Sequence, residues 1–172
     1  MPGLGLGLGL GLSPQRPFYT ANGVLRSPDN MTAAALPVPF VASASTSHTD
    51  PDFAPWHAFD GDTATFWAAG DGNLPPSWLQ IDLGTTQYCA SYKLIARNFA
   101  FGFWTAFNLA GSANASTWAV VDSRSGLSWT NGEQKTFTVQ VPERFRYWRF
   151  NITATSGGST EYADMAEVAL YS

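Results

Sequence analysis

Asp60, Gly61, Asp62 and Thr65 fall within six residues, in the run His57-Ala-Phe-Asp-Gly-Asp-Thr-Ala-Thr-Phe-Trp67. Glycine lets the chain turn tightly there. Carboxylate and hydroxyl oxygens gathered so closely suit a hard cation such as calcium. A plain turn, held by aspartate-to-backbone hydrogen bonds, explains the same spacing. The run is not an EF-hand loop, which needs glycine at its sixth position and glutamate at its twelfth. Counted from Asp60, those positions hold Thr65 and Asp71.

Signals for catalysis are weak. His48 and His57 are the only histidines, too few for most zinc sites, and H-E-x-x-H is absent. No G-x-S-x-G elbow occurs. Cys89 has no evident histidine to activate it, forms no internal disulfide because it is alone, and reads as a buried core residue. Asp122, Glu133, Glu143 and Glu161 are scattered, and a pair of glycosidase carboxylates is a matter of spatial distance that a sequence does not give. The expectation is a binding module without catalytic activity.

Short strands must position these residues. Leu79, Ile81 and Leu83 alternate with Gln80 and Asp82; Phe137, Val139 and Val141 alternate with polar neighbours; Trp148, Phe150 and Ile152 alternate with Tyr147, Arg149 and Asn151. Further candidates lie at Tyr92–Leu94, Phe107–Leu109, Trp118–Val121 and Val168–Leu170. Turn clusters such as Ser123-Arg-Ser-Gly126 and Asn131-Gly132 separate them. Period-two alternation with no long helical stripe predicts an all-β sandwich over residues 41–172. The segment Ser43 to Ser47 reads as a loop.

Residues 1–40 follow another grammar. Leu4, Leu6, Leu8, Leu10 and Leu12 alternate with glycine, and prolines punctuate the stretch from Ser13 to Pro39. Alternating leucines make one apolar face that needs a cover, so this stretch is read as an extended anchoring or assembly arm. It lacks the basic start of a signal peptide. Phe99-Ala-Phe-Gly-Phe-Trp104 is too apolar for an ordinary exposed loop. Phe99, Phe101, Phe103 and Trp104 are therefore candidate partner contacts, unless the loop folds inward to plug the sandwich.

Net charge is −4, which argues against a general attraction to nucleic acid or anionic membrane. Charged residues are 13% and aromatics 15%, so many rings must be either buried or shown to a partner.

Ala58-Phe-Asp-Gly-Asp-Thr-Ala-Thr-Phe-Trp67, Trp78-Leu-Gln-Ile-Asp-Leu-Gly84, Leu109-Ala-Gly-Ser-Ala-Asn-Ala-Ser-Thr-Trp118, Arg146-Tyr-Trp-Arg-Phe-Asn-Ile152 and Ala166-Glu-Val-Ala-Leu-Tyr171 resemble, in order, the signatures of discoidin or coagulation factor 5/8 type C domains. The resemblance implies a galactose-binding-like jelly roll, similar to family 32 carbohydrate-binding modules. It implies a structural calcium site, with sodium or an empty site as alternatives. The ligands would be the side chains of Asp60, Asp62, Thr65 and Glu167 and the carbonyls of His57, Thr65 and Ala166. It also implies a glycan site in the loops at one sandwich end, with Arg97 at the position of the sugar-contacting arginine. Asn98, Tyr162, Asp71 and Asn73 stand nearby. Ala68 replaces a histidine that many sugar-binding members carry, which leaves the specificity open.

Two functions fit. One is a glycan-binding or adhesion module; the other is a virion component, such as a phage tail or capsid protein, docked by the Gly-Leu arm. A virion protein contacting host glycans combines them, with a purely structural virion protein or a secreted lectin as alternatives. Expected partners are a glycan, assembly proteins at the arm and a second copy of the chain.

Overall fold

The computed structural model describes residues 23–70, 72–99, 102–157 and 162–172. The leucines of the arm, Asp71 and Phe101 lie outside them. Among the described residues there are eight strands: β1 (Val41–Ala44), β2 (Trp67–Ala68), β3 (Ser77–Ile95), β4 (Trp104–Ser112), β5 (Ala119–Arg124), β6 (Gln134–Thr155), β7 (Asp164–Met165) and β8 (Glu167–Tyr171). Two short 3-10 turns, Pro51–Phe53 and Pro55–Phe59, precede β2. The architecture is the expected antiparallel jelly-roll sandwich.

One sheet runs in the order β1-β3-β6-β4-β5, with β8 added along the second half of β3. Strands β3 and β6 pass through both layers. Ser77–Asp82 pairs with Tyr147–Ile152, and Ser91–Ile95 pairs with Gln134–Thr138 and with β8. Register shifts between Asp82 and Gln87 and between Cys89 and Ser91 bend the strands at the corner. An extra residue in one strand of a pair is what lets a sheet turn back over itself. A separate two-stranded sheet pairs β2 with β7.

Alternation decides what is buried. Leu79, Ile81 and Leu83 of β3 and Trp148, Phe150 and Ile152 of β6 face inward, each at most 2% exposed. Trp67, Trp104, Phe107, Tyr92 and Phe150 join edge to face inside, with Trp67 and Trp104 centroids 6.2 Å apart and Trp104 and Phe107 5.7 Å apart. Offset and edge-on ring geometry adds attraction beyond burial alone. Much of the aromatic excess in the sequence is thus core.

Several sequence expectations are corrected. Phe103 and Trp104 are 4% and 0% exposed, so they are core residues and not partner contacts; Phe99, at 56%, stays outside. The apolar loop is split because the first residues of β4 must fill the sandwich end. Ser43 and Ala44 belong to β1, where they pair with Gln80 and Leu79. The candidates Leu79–Leu83 and Tyr92–Leu94 form one strand, as do Phe137–Val141 and Trp148–Ile152.

Residues 23–40, read as part of the arm, pack onto the sandwich. The Arg26 N–H donates to the Leu170 carbonyl (2.7 Å), the Ser172 N–H to the Val24 carbonyl (3.0 Å) and the Met31 N–H to the Phe59 carbonyl (3.1 Å). Met31 is 2% exposed within the core. This stretch carries no regular strand, but its backbone hydrogen bonds and buried methionine tie it to β8 and to the Asp60 loop.

Candidate functional site

The loop from His57 to Thr65 is organised around the Asp60 carboxylate. His57 Nδ1 lies 2.9 Å from Asp60 Oδ2, and the Thr65 hydroxyl lies 2.8 and 3.0 Å from the two carboxylate oxygens. The Asp62 N–H donates to Asp60 Oδ1 (2.9 Å). Gly61 has φ +78°, and a Cβ there would meet the Asp29 carbonyl oxygen at 2.3 Å, so both conformation and space demand glycine.

Glu167, at the start of β8, comes to this loop from the far end of the chain and is 7% exposed. Burial, and then the adjoining Asp60 carboxylate, push its carboxyl up to about 8. Glu167 Oε1 is buried without a hydrogen-bond partner among the described residues. The structure therefore brings Asp60, Thr65 and Glu167 together. In place of the side-chain role expected for Asp62, its exposed carboxylate accepts the Ala64 N–H (2.9 Å), and only its backbone carbonyl meets the Thr65 hydroxyl (2.8 Å). Ala166 is buried beside Glu167, its N–H bonded to the Ile95 carbonyl at 3.0 Å. Among the described residues, no three His, Cys, Asp or Glu side chains form a metal-binding group.

The donor chemistry still suits a hard cation. Two carboxylates held in contact, one with an unpartnered buried oxygen, repel each other unless a proton or a cation sits between them. Oxygens from carboxylate, hydroxyl and backbone are the ones calcium takes.

A second cluster surrounds Arg97, just after β3. Arg97 Nη1 donates to Asp164 Oδ2 at 2.9 Å, and the Asp164 side chain is only 1% exposed. The guanidinium lies over the Phe66 ring at 4.0 Å and over the Phe99 ring at 5.1 Å. Flat, weakly hydrated guanidinium stacks on aromatic faces in this way and keeps its N–H edge for hydrogen bonds. Gly102, with φ +80°, leaves room for Asp164: a Cβ there would meet Asp164 Oδ2 at 2.5 Å.

Thr63, Ala64, Phe66, Arg97, Asn98 and Phe99 line an open depression of about 260 Å³. A neighbouring one of about 380 Å³ shares Thr63 and Asn98. Arg97 and Asn98 both line the first depression. Tyr162 and Asn73 are not among the residues lining either depression. Tyr162 is half-buried against the core, and Asn73 is exposed in the loop after β2, its N–H bonded to the Gly70 carbonyl (2.9 Å). Sequence reasoning missed Phe66 and Thr63. Phe66 directly precedes the buried Trp67, so alternation alone places it on the opposite side.

The chain matches the F5/8 type C domain family over residues 41–168. Similar solved structures include the family 32 carbohydrate-binding module of C. perfringens NanJ in complex with galactose. It is 23% identical with a TM-score of 0.66, covering 77% of this chain and 93% of that one. A second C. perfringens module, in complex with GalNAc-β-1,3-galactose, is 19% identical with a TM-score of 0.67, covering 77% and 95%. The AlyQ family 32 module in complex with 4,5-unsaturated mannuronic acid is 20% identical with a TM-score of 0.61, covering 76% and 93%. A comparison with curated protein sequences gives no match. The family match spans most of the chain and the solved neighbours share its architecture: the chain belongs to the F5/8 type C, or discoidin, family and has the fold of family 32 carbohydrate-binding modules.

Proposed function

We propose that this protein is a non-catalytic carbohydrate-binding module that holds a neutral sugar in the depression around Arg97. The observation that carries this reading is Arg97 itself. It is stacked on Phe66 and Phe99 and fixed by Asp164 on the floor of an open depression. Rigid rings offer apolar faces to sugar C–H groups, and a pre-set guanidinium with an adjacent amide offers hydrogen bonds to hydroxyls. Asp164 balances the Arg97 charge, which favours an uncharged ligand. Phe99 supplies the exposed ring, and Asn98 the amide. The adjoining depression extends the surface beyond one sugar unit.

Calcium is proposed as the structural ion, held by Asp60, Thr65 and Glu167 with backbone carbonyls. It would cancel the repulsion between the two carboxylates. The residues themselves link the Asp60 loop to the first residue of β8, far apart in sequence, where Glu167 pairs with Ile95 at the end of β3.

Titration calorimetry with galactose, GalNAc-β-1,3-galactose and chitotriose tests the sugar reading. Binding of at least one is expected, with R97M weakening it by about tenfold or more, the loss of one charge-assisted hydrogen bond. Absence of heat for all these and for a wider panel of neutral glycans would overturn it.

A further inference from the structure

The outer face of the β1-β3-β6-β4-β5 sheet carries a second set of groups at the beginning of β3, whereas the Arg97 loop follows the far end of that strand. Trp78 of β3, Arg149 and Asn151 of β6 and Asn108 of β4 lie on the side opposite the core, because their strand neighbours Leu79, Phe150, Ile152 and Leu109 face inward. Register places Gln80 beside Arg149, and Trp78, Asn151 and Asn108 in one row across three strands. All are half-buried. An outer face that keeps tryptophan, arginine and amides in one patch is not explained by packing of the core.

Arg149 sits between two tryptophans. Its guanidinium carbon lies 4.2 Å from the Trp78 ring centroid and 4.0 Å from that of Trp118. Trp118 arrives from the turn after β4, where Asn114 Oδ1 accepts the N–H groups of Ser116 (3.0 Å) and Thr117 (2.9 Å) and so fixes the approach. Arg149 Nε and Nη2 both donate to Gln80 Oε1, at 3.1 and 2.8 Å. That acceptor is neutral, and among the described residues Arg149 makes no ion pair. Burial draws its guanidinium below the ordinary arginine value with no acid to offset it. Elsewhere in the molecule Arg97, Arg124 and Arg146 each face a carboxylate. Asn151 Nδ2 donates to Asn108 Oδ1 (2.8 Å), which leaves Asn151 Oδ1 and Asn108 Nδ2 for other partners.

We propose that this sheet face is a second glycan site and that it takes an acidic polysaccharide, a chain of uronic acids whose carboxylate meets the outward edge of Arg149. Stacking occupies the faces of the guanidinium and leaves its Nη1 edge to a carboxylate. The tryptophan edges and the two open amide atoms fit the ring and hydroxyls of the sugar. The unbalanced positive charge selects an anionic chain over a neutral one, in contrast to the balanced Arg97–Asp164 pair of the loop site. The two sites stand independently, since different arginines serve them.

Affinity electrophoresis and calorimetry of the full chain with hexagalacturonate test this, with a neutral galacto-oligosaccharide and an oligothymidylate as controls. Hexagalacturonate should bind, more weakly as salt is raised. R149M should weaken it by about tenfold or more, the loss of a charge-assisted contact, while R97M leaves it unchanged. The pair N108V/N151V, which removes both amides together, provides a second reading should R149M fail to fold, and it too should weaken binding. Four results would overturn the proposal: no binding of hexagalacturonate, equal binding of the neutral control, tighter binding of the oligonucleotide, or variants that lower the melting temperature without changing affinity.

Discussion

Replacing Glu167 by glutamine probes the Asp60 loop with a change of sign. In the protein without a cation, Glu167 and Asp60 hold two acids in contact and leave Glu167 Oε1 buried and unpartnered. Glutamine keeps the shape, cannot ionise and donates an N–H to Asp60 at any pH. In chelator, E167Q should therefore melt at the same temperature as the parent or higher, by up to about 1 kcal/mol, the worth of one ordinary hydrogen bond. Calcium reverses the order. At a free concentration about 100 times its dissociation constant, a ligand bound only to the folded state stabilises by about 2.7 kcal/mol. For a chain of this size each kcal/mol moves the midpoint by about 2–4 °C, so the parent should rise by about 5–11 °C on adding calcium. E167Q should lose most of that rise. Differential scanning calorimetry with EGTA and with calcium measures both. A parent that does not respond to calcium, or an E167Q protein that melts lower in EGTA and keeps the full calcium rise, would refute the reasoning.

Two further outcomes are expected. Cys89, whose thiol burial pushes up to about 12, should remain unreactive to a disulfide reagent at pH 8 in the folded protein and react fully in urea; rapid native labelling would contradict its placement. Asp122 accepts the Tyr92 hydroxyl and both Arg124 Nε (2.8 Å) and Nη2 (3.0 Å), joining β3 to β5 inside the sandwich. D122A leaves the Tyr92 hydroxyl buried, while Arg124, about a quarter exposed, can rehydrate. Urea unfolding should show a loss of about 2–4 kcal/mol, and less than additive loss when Y92F is combined with it; a loss below about 1 kcal/mol would show that the buried group is not needed.

Strands were legible wherever one face meets the core. Leu79, Ile81 and Leu83 or Trp148, Phe150 and Ile152 alternate because the sheet makes them alternate. The corner was not legible. Leu79–Leu83 and Tyr92–Leu94 read as two strands, yet they belong to one, because β6 bends with β3 and pairing resumes at Gln87 after the register shift. β1 was missed for a related reason: Ser43 and Ala44 have little strand preference, and pairing with β3 decides their state. The site was legible in part. Asp60, Thr65 and Glu167 do converge, although Glu167 lies a hundred residues on, because β8 is laid beside β3. Asp62 differs because its side chain closes a local turn onto Ala64, a competing use that every aspartate in such a turn has. Phe66 escaped notice because its neighbour Trp67 carries the stronger signal, and only the fold shows Arg97 lying on its ring.

The most direct measurement is amide and arginine side-chain NMR of the folded protein during titration with a neutral sugar that binds. Shift changes should concentrate at Thr63–Phe66 and Arg97–Phe99, including the Arg97 Nε–H signal, with the Arg149 signal still. Changes confined to other surfaces, or an Arg97 signal that does not move at saturation, would contradict the proposed sugar site.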